Sequence, residues 1–130
     1  MHDIESRKDV ENIVNQFYTA LLKDDVVKHI FEQTIAHDLE HHLETINQFW
    51  CSVLLGEQSY KGNVMLKHIA LHKKINLDAC HFDRWLTLWE YTIHQRHQGQ
   101  KADEAIKRAK MMKELMILKI RKSEEGGFIQ

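Results

Sequence analysis

The sequence predicts an all-α protein, and three observations carry that expectation. There is no proline and there are only five glycines in 130 residues, so very little in the chain interrupts a helix. Apolar side chains recur at three- and four-residue spacing through most of its length. The length suits one domain with a core of its own, so residues 1–130 read as a single unit, with about 123–130, from Ser123-Glu124-Glu125-Gly126-Gly127 onward, as a flexible tail.

Each helix follows from its stripe. Val10, Ile13, Val14, Phe17 and Leu21 after Ser6, a capping residue type, predict a first long helix over about 7–23, with Tyr18 next to the buried stripe. Val26 to Phe31 form a short second piece. Leu39, Leu43, Ile46, Trp50, Val53 and Leu54 predict a long helix that Gly56 ends, followed by a loop over 57–63. A shorter helix holds Met65, Leu66, His68 and Ile69 and runs out near Lys73-Lys74. Asn76 or Asp78 can cap the next, whose stripe is Phe82, Trp85, Leu86, Trp89 and Ile93 and which runs to Gly99. Ala102, Ile106, Ala109, Met112, Met116 and Ile120 mark the last.

Charge and punctuation exclude several functions. With 18 basic and 19 acidic residues the domain lacks the positive field that nucleic acid requires, and the basic last helix (Lys107, Arg108, Lys110, Lys113) reads as a solvated face. No apolar run reaches the roughly 20 residues of a membrane span, and Met1-His2-Asp3-Ile4-Glu5 lacks the basic and apolar regions of a secretory signal, so a cytoplasmic protein is expected. Cys51 and Cys80 form no C-x-x-C or C-x-x-C-H pair, which excludes covalent haem attachment of the c type and argues against a disulfide framework.

Ten histidines raise the question of metal. A di-iron bundle needs paired E-x-x-H, yet no glutamate here has a histidine three residues on, and H-E-x-x-H is absent as well. His37 with His41, and His68 with His72, share helix faces that could chelate zinc or nickel adventitiously; most of the others read as solvent-facing. His68 stands apart. It lies among Met65, Leu66 and Ile69, where an imidazole without a partner is costly to bury. The residues alone leave it either a satisfied core histidine or a metal ligand, and leave Tyr18 and Trp85 as core aromatics.

The run Phe49-Trp50-Cys51-Ser52-Val53-Leu54-Leu55-Gly56-Glu57-Gln58-Ser59-Tyr60-Lys61-Gly62, followed by Leu66-Lys67-His68 and by His81-Phe82-Asp83-Arg84-Trp85-Leu86, resembles the group III truncated haemoglobins. The likeness lies in the order and spacing of F-W, L-L-G, Y-x-G, K-H and H-F-x-x-W-L across roughly the middle third of the chain. It implies a truncated globin fold, a shortened helical sandwich around one non-covalent haem b, with His68 as the proximal iron ligand. It further implies a distal side made of Tyr18, His42 and Trp85, with His42 a possible sixth ligand that would make the resting haem bis-histidyl. Phe31, Ile46 and Phe49 then pack against the haem, and Lys67 and Tyr60 reach its propionates.

The implied activity is reversible binding of O2, NO or CO by a monomer or weak dimer. A phenol O–H and an indole N–H hold a partly negative ligand firmly, which argues against simple oxygen transport and for sensing, nitric oxide dioxygenation or peroxidase-like chemistry. Turnover would need an external reductase, since no flavin or nicotinamide fingerprint is present. The alternative from another class is a haem-free, His-rich helical protein that binds zinc or nickel. Many of the proteins it resembles carry a proline shortly after Y-x-G and again after the proximal histidine, which this chain lacks, and its stretch from His68 to Trp85 is longer, so the proximal helix is where its geometry should differ. In the doubled His41-His42, neighbours about 100° apart on a helix, only one should face the iron.

Overall fold

The structure, a computed structural model, describes residues 1–34, 38–58, 60, 62, 67–68, 70–72 and 75–124, apart from the side chains of 34 and 123. It contains α1 (Arg7–Leu21), α2 (Lys28–Thr34), α3 (Leu39–Leu55), α4 (Ala79–Arg96) and α5 (Gln100–Glu124). Lys67, His68 and residues 70–72 are also helical, and no strand occurs among the described residues. Ile35–His37, Met65, Leu66, Ile69, Lys73, Lys74 and 125–130 lie outside the described residues, and with them part of the expected fourth helix and the tail.

Local chemistry sets the helix ends. Ser6 caps α1 through a capping box, its Oγ accepting from the Asp9 N–H while the Asp9 carboxylate accepts from the Ser6 N–H. α3 stops at Gly56, whose φ of 73° is the left-handed conformation that glycine adopts without a Cβ penalty. Asp78, one of the two expected caps, caps α4. Four ends differ from expectation, one of them the end of α2, which runs on to Thr34 past the expected Phe31. α1 finishes two residues early and α2 starts at Lys28 because Asp24 organises the turn between them: its backbone carbonyl accepts from the Val27 and Lys28 N–H groups and its side chain from the Val26 N–H. The same carboxylate accepts from Arg84 of α4 at 2.7 Å. α4 ends at Arg96 rather than at Gly99, because His97 turns extended and its Nδ1 meets the His2 carbonyl at 3.1 Å.

The long helices close a ring in which α1 packs on α3 and α4, and α5 on α4 and α3. Adjacent members run antiparallel. Arg7 at the start of α1 pairs with Glu44 on α3 and with Glu57 just beyond its end, whereas Tyr18 near the end of α1 meets His42 near the start of α3. Likewise Asp83 and Glu90 of α4 pair with Lys113 and Lys110 of α5. The result is two layers, α1 with α3 and α4 with α5.

Their inner faces, with Ile4 from the segment before α1, supply the main core, including Ile13, Val14, Leu21, Trp89 and Ile93, each aliphatic side chain contributing about 1.5–3 kcal/mol by leaving water. Trp89 stacks on Trp50 at 4.6 Å and donates its Nε1–H to the Ala105 carbonyl at 3.2 Å. A second, smaller cluster of Ile30, Leu77, Phe82, Met116 and Ile120 forms at the other end of α5. The apolar interior is therefore divided in two, and the space between the clusters is where the site lies.

Candidate functional site

A cavity of about 460 Å3 separates the two clusters. Its walls take Phe17, Trp50 and Ile46 from one side and Ile30, Phe82 and Met116 from the other. All nine side chains singled out in the sequence (Tyr18, Phe31, His42, Ile46, Phe49, Tyr60, Lys67, His68 and Trp85) line it. They come from α1, α2, α3, the loop after α3, the helical residues around His68, and α4. Only the antiparallel ring brings these elements to one place.

At one end of the cavity Tyr18 and His42 form a pair. The phenol oxygen lies 2.9 Å from His42 Nε2, and the rings meet edge to face at 5.3 Å. Tyr18 is fixed on its other sides by Phe17 at 5.5 Å and Phe31 at 5.7 Å. Burial pushes the Tyr18 hydroxyl well above the usual phenol range, so it keeps its proton. Burial also lowers His42 to about 4, helped by the neighbouring positive potential of His68, Lys67 and His41. His42 is therefore a neutral imidazole at pH 7.

Trp85 is half-buried and packs edge to face on Phe17 at 6.1 Å. It differs from Trp89 one turn later. Trp89 spends its indole N–H on Ala105, whereas the Trp85 N–H has no acceptor among the described residues. His68 lines the cavity beside Phe82, ring centroids 6.4 Å apart.

At the rim, Tyr60 packs on Phe49 at 5.2 Å, and Lys67 Nζ lies 5.9 Å from the Tyr60 ring centroid. Gly62 explains the Y-x-G element: a Cβ there would come within 2.5 Å of the Tyr60 hydroxyl oxygen and 3.1 Å of Lys67 Nζ. The absent side chain is what lets these two polar tips close on the cavity mouth.

Several wall residues escaped the sequence reading. Met112 and Met116 were visible only as a helical stripe, which does not distinguish a cavity wall from solid core. Leu71, Leu77 and His81 lie in or near the stretch whose length was unusual. Both histidines of the doublet line the cavity; His42 holds Tyr18, while His41 is exposed at the rim with Asp38 and Thr45. Among the nine described histidines, four are exposed and four half-buried, while His97 is buried, so fewer face solvent than the sequence suggested. The His68–His72 chelate does not form in this arrangement, because His72 Nδ1 accepts from the Leu77 N–H and its Nε2 pairs with Glu124 at 3.0 Å. His37 of the other pair lies outside the described residues.

The family model of the bacterial-like globins matches residues 2–118. The chain belongs to that family. This globin is similar to the group 3 truncated hemoglobin ctb of Campylobacter jejuni, 26% identical over 110 residues that cover 82% of this chain and 84% of that protein. It is also similar to the group 1 truncated hemoglobin of Tetrahymena thermophila, 39% identical over 67 residues, 52% of this chain and 50% of that protein. The crystal structure of group III truncated hemoglobin from Campylobacter jejuni matches with a TM-score of 0.81 at 24% identity, covering 91% of this globin and 94% of that chain. The fold is thus the truncated globin fold, and the longer matches fall on group III, in line with the motifs. Among the described residues no helix is long and apolar enough to cross a membrane.

Proposed function

We propose that the cavity binds one non-covalent haem b, with His68 as its iron ligand and Tyr18, His42 and Trp85 around the position opposite. The observation that carries this reading is the Tyr18–His42 hydrogen bond in a cavity that His68 also lines. The residues fit the group. The volume falls within the roughly 300–1,000 Å3 of cofactor pockets. The walls are aromatic and aliphatic and come from two separate clusters, as a flat molecule with two apolar faces needs. Lys67 and Tyr60 at the mouth suit its carboxylates.

When bound, haem iron supplies the coordination position at which O2, NO or CO binds reversibly. The chain's own contribution is to set what surrounds that ligand. Tyr18 keeps its proton and can donate, and the Trp85 N–H has no acceptor among the described residues. Neutral His42 can itself donate Nε2–H to the Tyr18 oxygen, which leaves the Tyr18 O–H directed at a guest. Whichever of the two donates across the 2.9 Å contact, the Nε2 lone pair of His42 is not offered to iron. The pair therefore favours an open sixth position over bis-histidyl closure.

Each donor to a partly charged ligand is worth about 1.5–3 kcal/mol, or about tenfold to a hundredfold in retention. Two donors support slow release, and with it oxygen or nitric oxide chemistry rather than transport. Such turnover requires an external reductase. Stopped-flow mixing of the reduced, haem-loaded protein in oxygenated buffer with NO tests the dioxygenase reading: rapid formation of nitrate and ferric protein supports it. Slow reaction without nitrate rejects it and leaves ligand binding or sensing.

A further inference from the structure

Away from the cavity, three side chains from distant parts of the chain converge. One ring nitrogen of His2, one of His97 and a carboxylate oxygen of Asp9 all lie within 4.8 Å of one another. We propose that His2, Asp9 and His97 form a binding site for a divalent zinc ion that clamps the segment before α1 to the end of α4.

The donor set is two imidazoles and one carboxylate, which is what zinc takes with a water completing a tetrahedron. Bonds of about 2.0–2.2 Å place tetrahedral ligand atoms about 3.4 Å apart, so a modest contraction of the cluster completes the site. Two of the three ligands are already fixed. His97 is 5% exposed, and its Nδ1 sits 3.1 Å from the His2 carbonyl. With Nδ1–H donating to that carbonyl, the Nε2 lone pair is left for the metal, the outer-shell arrangement that orients zinc-bound histidines. Asp9 Oδ2 accepts from the Glu5 and Ser6 N–H groups, which leaves Oδ1 to coordinate.

The third ligand is the movable one. His2 has a largely exposed side chain, packed edge to face on the His97 ring at 5.1 Å, and can swing onto the fixed pair. Its Nδ1 lies 2.6 Å from the Asp3 carbonyl oxygen and 3.2 Å from Glu5 Oε1, which leaves Nε2 as the nitrogen to offer a metal. Asp9 brings formal negative charge. Burial acts to raise its pKa, but the hydrogen bonds from Glu5 and Ser6 and the proximity of His97 and His2 outweigh that and hold it below the usual carboxylate range.

None of the three lines the haem cavity. Asp9 is nine residues from Tyr18 along α1, about 14 Å, and His97 is twelve residues from Trp85 along α4, about 18 Å. The ion thus ties together the far ends of the two helices that carry the distal donors, without touching the ligand.

The test is calorimetric titration of zinc into the 130-residue chain with and without haem, together with its thermal unfolding midpoint, for the wild type, His2→Gln and His97→Gln. One saturable site, a rise in midpoint with zinc, and an at least tenfold weaker affinity in His2→Gln with an unchanged Soret band on zinc addition are expected. His2 is exposed, so its variant keeps the fold even where that of the buried His97 does not. Absence of saturable binding, or binding that survives His2→Gln undiminished, overturns the proposal. So does zinc that displaces haem or shifts the Soret band, because that places the ion in the cavity.

Discussion

Replacing Tyr18 by phenylalanine isolates one oxygen atom. The ring is held by edge-to-face contacts with Phe17, Phe31 and His42 at 5.3–5.7 Å, and phenylalanine keeps its shape, so the packing around the cavity should persist. What disappears is the O–H and its 2.9 Å contact with His42 Nε2. Loss of a donor to a partly negative ligand costs about 1.5–3 kcal/mol, which converts to oxygen release faster by about tenfold to somewhat over a hundredfold. A second effect follows from the same atom. His42, neutral because burial and its positive neighbours lower it to about 4, is left with an unpartnered Nε2 in reach of the cavity. The unliganded Tyr18→Phe protein should therefore gain low-spin, six-coordinate character that His42→Leu added to it removes. The assay is stopped-flow displacement of oxygen by carbon monoxide in the wild type, Tyr18→Phe and the double variant, with visible spectra of each. An oxygen release rate within about threefold of wild type in a variant with a wild-type spectrum would refute the reasoning, because Tyr18 would then not reach the ligand.

The two tryptophans should separate cleanly. Trp85→Phe is expected to speed oxygen release about tenfold or more and to change stability by less than about 1 kcal/mol, since its N–H has no protein acceptor among the described residues. Trp89→Phe removes a buried indole stacked on Trp50 and bonded to the Ala105 carbonyl, so it should cost about 1–3 kcal/mol in urea unfolding and leave release kinetics nearly unchanged. In the haem-free protein, His42 makes stability depend on pH with a definite sign. Its folded pKa of about 4 lies below the ordinary 6.5, so between those values the unfolded chain binds the extra proton and stability falls as pH falls from 6.5 towards 4. His42→Leu should flatten that part of the profile of unfolding free energy against pH; an unchanged slope would show that other groups set it.

Much of the fold was legible because its signals are local. The stripes of α1, α3, α4 and α5, the Ser6 cap and the Gly56 stop each depend on residues within a turn or two. The ends that moved depend on distant partners. Asp24 shapes the turn after α1 by bonding Arg84, sixty residues on, and α4 yields three residues early because His97 bonds the backbone at His2. The site divides in the same way. Tyr18, His42, His68 and Trp85 came through a resemblance that fixes order and spacing, and the helix ring then places them around one cavity. By periodicity alone Tyr18 and Trp85 would have been core, since a cavity wall and a solid core demand the same apolar spacing. Met112 and Met116 stayed invisible for that reason. The separation of Trp85 from Trp89 needed the structure, because it rests on whether an indole N–H finds a carbonyl.

His68 as the iron ligand is the centre of the account, and it is tested most directly by absorption spectra of the purified protein supplied with haem and reduced anaerobically, beside His68→Gly. The wild type should take up one haem per chain and show the reduced bands of an open, five-coordinate iron. His68→Gly should lose or visibly alter the Soret band and recover it when imidazole is added to fill the missing ligand's place. A His68→Gly spectrum identical to wild type, or a wild type that takes up no stoichiometric haem, would contradict the assignment of the cavity.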